Sequence, residues 1–137
     1  MFLVRLDDKE KKCFYRLAQI AAEANGEVDY EEINFLECYR QEMSLEASAL
    51  VDIENVSTDD IVGVFSAAEE SHKRIVMFET IAFMYVDGSF DEAEKNFTYQ
   101  FANQIGFPKE EVDDLVDLVK NYVDYLTEIA AKVLLIN

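Results

Sequence analysis

The sequence predicts an all-α fold, a compact bundle of six or seven helices that contains two pseudo-repeated helical hairpins. Three observations carry this expectation. One proline and four glycines in 137 residues leave little to interrupt helical stretches. Apolar residues recur at three-to-four spacing along most of the chain, with few alternating β-branched runs. Finally, one corner is written twice, as Ala21-Ala22-Glu23-Ala24-Asn25-Gly26-Glu27-Val28-Asp29-Tyr30-Glu31-Glu32 and as Phe83-Met84-Tyr85-Val86-Asp87-Gly88-Ser89-Phe90-Asp91-Glu92-Ala93-Glu94. Each copy runs from an apolar helix end through Asx-Gly, one spacer and an apolar residue to Asp, with Glu three residues later. Such doubling marks an internal helical-hairpin repeat.

The elements follow in order. Asp7 caps a first helix and Glu10 completes a capping box, after which Phe14, Leu17, Ala18, Ala21 and Ala22 mark one face to about Asn25. Gly26 supplies the left-handed stop. Asp29 and Glu32 reopen the helix, with Val28 poised to staple onto Ile33. Ile33, Leu36, Tyr39 and Met43 then form its apolar stripe to near Leu45. Residues 46–56 read as a connector: Ala47 to Leu50 could extend a helix, yet Val51-Asp52-Ile53-Glu54 alternates like a short extended piece. Ser57 opens a short third helix through Ala68, with Val56 stapling onto Ile61. Ser71 is expected to cap a fourth helix carrying Ile75, Phe78, Ile81, Ala82 and Tyr85. A fifth begins at Asp91, packs Phe97, Phe101, Ala102 and Ile105, and stops at Gly106. Pro108 then sits at the first position of a long sixth helix. There Val112, Leu115, Val119, Tyr122, Leu126 and Ile129 are expected to close the core. The apolar end Val133-Leu134-Leu135-Ile136 is expected either to fold back on the bundle or to bury itself on a second copy in a homodimer. No stretch has linker composition, so residues 1–137 read as a single domain.

Composition narrows the functional classes. Half the residues are hydrophobic and 12% aromatic, which suits a packed core, while the formal charge of −17 is the strongest bulk signal. Such a surface repels nucleic-acid phosphates and anionic lipid, and it suits cations or basic protein surfaces. No run approaches the roughly 20 apolar residues of a membrane-spanning helix, and the apolar run after Met1 is too short for a secretory leader. The expected location is the cytoplasm. Cys13 and Cys38 do not make a disulfide framework. Both fall at the edges of apolar stripes and read as buried small hydrophobes rather than as a redox or zinc pair.

Enzymatic signatures are missing. The chain has no phosphate-cradling glycine loop, no H-E-x-x-H and no G-x-S-x-G. His72 is the sole histidine, and within Glu69-Glu70-Ser71-His72-Lys73 it reads as solvated rather than catalytic. Nothing calls for an organic cofactor. A calcium loop needs oxygen ligands at positions 1, 3, 5 and 12 and Gly at 6. With Gly88 at 6, Asp87 and Glu94 fall at 5 and 12, but Phe83 and Tyr85 occupy 1 and 3. With Gly26 at 6, Ala21 falls at 1. Neither corner is an EF-hand. The carboxylates are then either helix caps, each contributing about 0.5–2 kcal/mol, or ligands converging on a divalent cation or a basic partner.

The doubled corner, Ile81 to Glu94 and Ile20 to Glu32, together with the helix end Ile105-Gly106-Phe107, resembles the tellurite-resistance TerB family. That family includes the TerB-like domain of membrane-anchored DnaJ-type co-chaperones. The resemblance covers about residues 10 to 110. It implies an all-helical bundle with pseudo-twofold halves and a stress-associated, non-enzymatic role. It also implies an acidic patch that binds a divalent metal ion such as Ca, Mn or Mg. By position the patch comprises Asp87, Asp91 and Glu94 from the second copy, and Asp29 and Glu32 from the first. The sequence departs from the family pattern at Asn25, where the family has Asp, so the second corner is the stronger cation candidate. A protein partner fits the same patch. Two rivals are a carboxylate-based metal-dependent hydrolase and a purely structural interaction domain.

Overall fold

In the computed structural model the described residues, 1–24, 30–85 and 90–135, form an all-α bundle. A 3-10 turn at Leu3–Arg5 precedes seven helices: α1 (Asp8–Glu23), α2 (Tyr30–Glu42), α3 (Ala49–Ile53), α4 (Thr58–Ser66), α5 (Glu70–Met84), α6 (Glu92–Gln104) and α7 (Lys109–Val133). No strand is present among the described residues.

Helices α1 and α5 are the centre. α1 packs on α2, α3, α4 and α5, whereas α5 packs on α1, α4, α6 and α7. The face predicted for α1 is the one it buries, with Cys13, Phe14, Leu17, Ala18, Ala21 and Ala22 all in the core. Burial on several sides of α5, at Val76, Met77, Ile81, Phe83 and Met84, is what a helix enclosed by neighbours requires. The hairpins α1–α2 and α5–α6 match in length, at 16 and 13 residues against 15 and 13. Ala21 and Ala22 are buried, but Ala82 is only half-buried and borders an open groove.

Local chemistry sets the helix starts. Asp7 with Glu10, Ser57 with Asp60 and Asp91 with Glu94 all form complete capping boxes. After α6, the Phe107 N–H donates to the Ala102 carbonyl at 2.8 Å and the Gly106 N–H to Asn103 at 3.2 Å, with Gly106 at φ 76°. That is a Schellman stop, and Gly is the residue that tolerates it. The end of α2 has the same pattern, Leu45 N–H to Arg40 and Ser44 N–H to Gln41, but with Ser44 in the left-handed position at φ 54°.

Several expectations are corrected. Residues 49–53 are helical rather than extended: Ile53 is fully buried with Leu50 half-buried three residues before it, while Val51 points to solvent. Helical spacing, not alternation, describes that burial. Ser71 does not cap α5; Glu69 occupies the N-cap position without a side-chain cap, because its carboxylate is held by His72 Nε2 at 2.8 Å. Pro108 is the N-cap of α7 rather than its first residue. Ile33 is exposed, so the α2 stripe reduces to Leu36, Tyr39 and Met43. The largest difference concerns α7. Val112 and Val119 are buried, but Tyr122, Leu126 and Ile129 remain 49%, 45% and 41% exposed. At 25 residues α7 is about 37 Å long. The helix it packs on most, α5, has 15 residues and spans about 22 Å, and α6 beside it has 13. The second half of α7 therefore has too little α5 beside it. Val133, Leu134 and Leu135 are exposed as well and do not fold back on the bundle; Ile136 lies outside the described residues.

Candidate functional site

The second corner is built from the α6 N-terminus. Asp91 takes extended backbone angles, its Oδ1 accepts the Glu94 N–H at 2.8 Å, and Glu94 Oε1 accepts the Asp91 N–H at 3.1 Å. Glu94 is 5% exposed, and its backbone carbonyl accepts the Thr98 hydroxyl at 2.8 Å. Tyr85 and Phe90 stack across the corner with ring centroids 5.1 Å apart. Asp87 and Gly88 lie outside the described residues, as do Asn25, Gly26, Val28 and Asp29 of the first corner. Glu32 is in the first turn of α2 and only 8% exposed, so each copy of the corner places its final Glu in a buried position.

Carboxylates of α7 act electrostatically on the second corner. The Tyr85 phenol is pushed above its ordinary pKa first by burial, then by the charges of Asp124, Asp117 and Glu94. Tyr99 of α6 is pushed up to about 12 by burial, by its hydrogen bond to Asp113 Oδ1, and by the charges of Asp113 and Asp117. Asp113, Asp117 and Asp124 stand four and seven residues apart, on one face of α7. The corner thus adjoins an acidic strip drawn from two helices. Sequence reading missed the α7 members. Their helical spacing was visible, but nothing local tied them to a corner some 20 residues earlier. Among the described residues, no three of His, Cys, Asp and Glu stand together as a metal-binding group.

His72 is not solvated as expected. Its Nδ1 lies 2.7 Å from Glu10 Oε1 of α1 and its Nε2 lies 2.8 Å from Glu69, and Glu10 is buried. Nδ1 ties the start of α5 to the start of α1, while Nε2 is held by Glu69 at the N-cap of α5 itself, so both ring nitrogens have a carboxylate partner. The α1 capping box has a tertiary role for the same reason, since one oxygen of Glu10 serves both the Asp7 N–H and the imidazole.

The two thiols differ, contrary to the expectation that both are buried. Cys13 is in the core and burial pushes its pKa up to about 11, only partly offset by Lys9, whereas Cys38 is exposed. Because the thiolate is the nucleophile, a maleimide or disulfide reagent should modify Cys38 in the native protein and reach Cys13 only after denaturation. Two equally fast native thiols would contradict this placement.

Comparison with protein-family models, with curated proteins and with solved structures found no match to this chain. Among the described residues no helix is long and apolar enough to cross a membrane.

Proposed function

We propose that this chain is a non-enzymatic, cytoplasmic TerB-like module of the stress-associated kind, whose acidic corner takes a divalent cation, a basic partner protein or both. The support for the reading is that Glu94 of α6 and Asp117 and Asp124 of α7 all act electrostatically on the Tyr85 phenol, beside the buried Glu94 at the start of α6. A corner under the influence of carboxylates from two helices attracts a cation or a basic side chain. The donor set is oxygen only, which suits the hard cations Ca, Mg and Mn. Asp91, Glu94 and Asp87 are the residues that would hold the ion, and the ion would supply charge neutralisation.

A second reading has its own support. The complete Asp91–Glu94 box accounts for both residues as helix caps, with the corners serving the fold alone. Thermal stability separates the two. A cation that binds only the folded chain stabilises it by about 2.7 kcal/mol at a hundredfold excess over its dissociation constant. For a chain of this size that is a rise of roughly 10 °C. Millimolar Mn²⁺ or Ca²⁺ should raise the melting temperature, and Asp87→Asn with Glu94→Gln should abolish the rise. Asp91→Asn keeps the cap, since Asn caps about as well as Asp, yet should weaken the cation response. No shift with any divalent ion would leave the corners as caps.

A further inference from the structure

We propose that the apolar groove between α2, α5 and α7 docks a basic amphipathic helix of a partner protein. The groove encloses about 440 Å³. Its floor is Tyr39 and Val119, both buried, and its walls carry Phe35, Phe78, Tyr122 and Leu126. Aromatic side chains of this kind, held on rigid helices, are the anchors that dominate protein interfaces.

The shape points to a linear occupant. Beyond the groove the exposed apolar stripe of α7 continues through Ile129 and Val133, three and seven residues after Leu126 and so on the same face. From Val119 to Val133 the stripe runs fourteen residues, about 21 Å, which about four turns of a partner helix would cover. A compact small molecule would fill the groove and leave the rest of the stripe in water.

Charge selects among helices. The charged side chains lining the groove are carboxylates, Glu42 and Glu79, and Tyr85 at its edge feels Asp117, Asp124 and Glu94. Among the described residues the cation at the lining is the Met1 amino group, already engaged at 2.8 Å by both Glu42 and Glu79. A helix with Lys or Arg flanking its apolar face places those charges on this rim. A second copy of the chain would instead bring its own carboxylates against these, at a formal charge of −17 per molecule.

The test uses the full chain in EDTA, so that it stands or falls apart from any cation at the corner. The probe is a dye-labelled synthetic helix of about five turns, with Leu on one face and Lys on the other, compared with its Leu/Glu counterpart by fluorescence anisotropy. The Lys peptide should bind and the Glu peptide should not. Binding should slow modification of Cys38, which lines the groove, at least tenfold at saturation. Tyr122→Ala with Leu126→Ala, both at exposed positions, should weaken binding at least tenfold. Tyr30→Ala with Val51→Ala, exposed on α2 and α3 and outside the groove, should leave it unchanged. Equal binding of both peptides, equal loss in both double variants, or unprotected Cys38 would each overturn the proposal. So would a concentration-dependent dimer in sedimentation that the Tyr122/Leu126 variant abolishes, which would assign the groove to a second copy.

Discussion

Replacing Tyr39 with alanine is expected to lower the melting temperature by about 10–20 °C, the largest effect of any single substitution in α2. Within the helix only Glu32 and Tyr39 are buried, so Tyr39 is its one large apolar anchor. Its ring packs edge-on against Phe14 of α1 at 5.2 Å and Phe35 of α2 at 5.9 Å, and tilts against Phe83 of α5 at 6.0 Å. Truncating a buried aromatic costs about 3–5 kcal/mol, including the cavity left behind. At roughly 3–5 °C per kcal/mol for a chain of this size, the expected shift follows. Tyr39→Phe is the control. The hydroxyl reaches the Glu79 carbonyl at 3.4 Å, a long hydrogen bond, and its loss should cost no more than about 1 kcal/mol. Because Tyr39 also floors the α2–α5–α7 groove, the alanine variant should lose peptide binding while the Phe variant keeps it. Similar melting temperatures for the two variants would refute the aromatic-anchor account.

The contrast between what was and was not legible in the sequence follows the range of the interactions. Helix starts at Asp7, Ser57 and Asp91 were readable because a capping box closes within four residues, and the stop at Gly106 because one glycine marks it. The end of α2 was blurred because Ser44, not glycine, takes the left-handed angle. Periodicity showed which face of α7 is apolar, but burial depends on whether a neighbour reaches that face, and α5 is ten residues shorter. His72 looked solvated because its decisive partner, Glu10, lies 62 residues away. Of the five candidate ligands, Glu32, Asp91 and Glu94 fall among the described residues and Asp29 and Asp87 outside them. The α7 carboxylates that join Glu94 were unmarked by any motif. Only the packing of α6 and α7 identifies them.

Stability should fall steeply above about pH 10, and this is the second large effect expected. Burial, reinforced by the charges of Glu79 and Glu42, holds the Tyr39 phenol well above its ordinary value of 10.0. Tyr99 is pushed up to about 12 and Cys13, from an ordinary 9.0, to about 11, and Tyr15 and Tyr85 shift the same way. Each folded value lies above its unfolded one. As the pH passes the unfolded values the unfolded chain releases protons that the folded chain retains, so unfolding gains free energy. The stabilisation is complete below about pH 9 and is lost as the pH rises through the folded values near 11 and 12. Melting curves should be flat from about pH 7 to 8.5 in this respect and descend above about 10, with Tyr39→Phe descending less. Salt divides the causes. Concentrated salt screens the charges that add to burial at Tyr85 (Asp117, Asp124) and at Tyr99 (Asp113, Asp117), so it lowers their titration only by that smaller part. It leaves the burial of Tyr39 untouched. A folded chain whose seven tyrosines all titrate as they do in denaturant, or whose melting temperature holds to about pH 11.5, would contradict both the buried position of Tyr39 and the acidic strip beside the second corner.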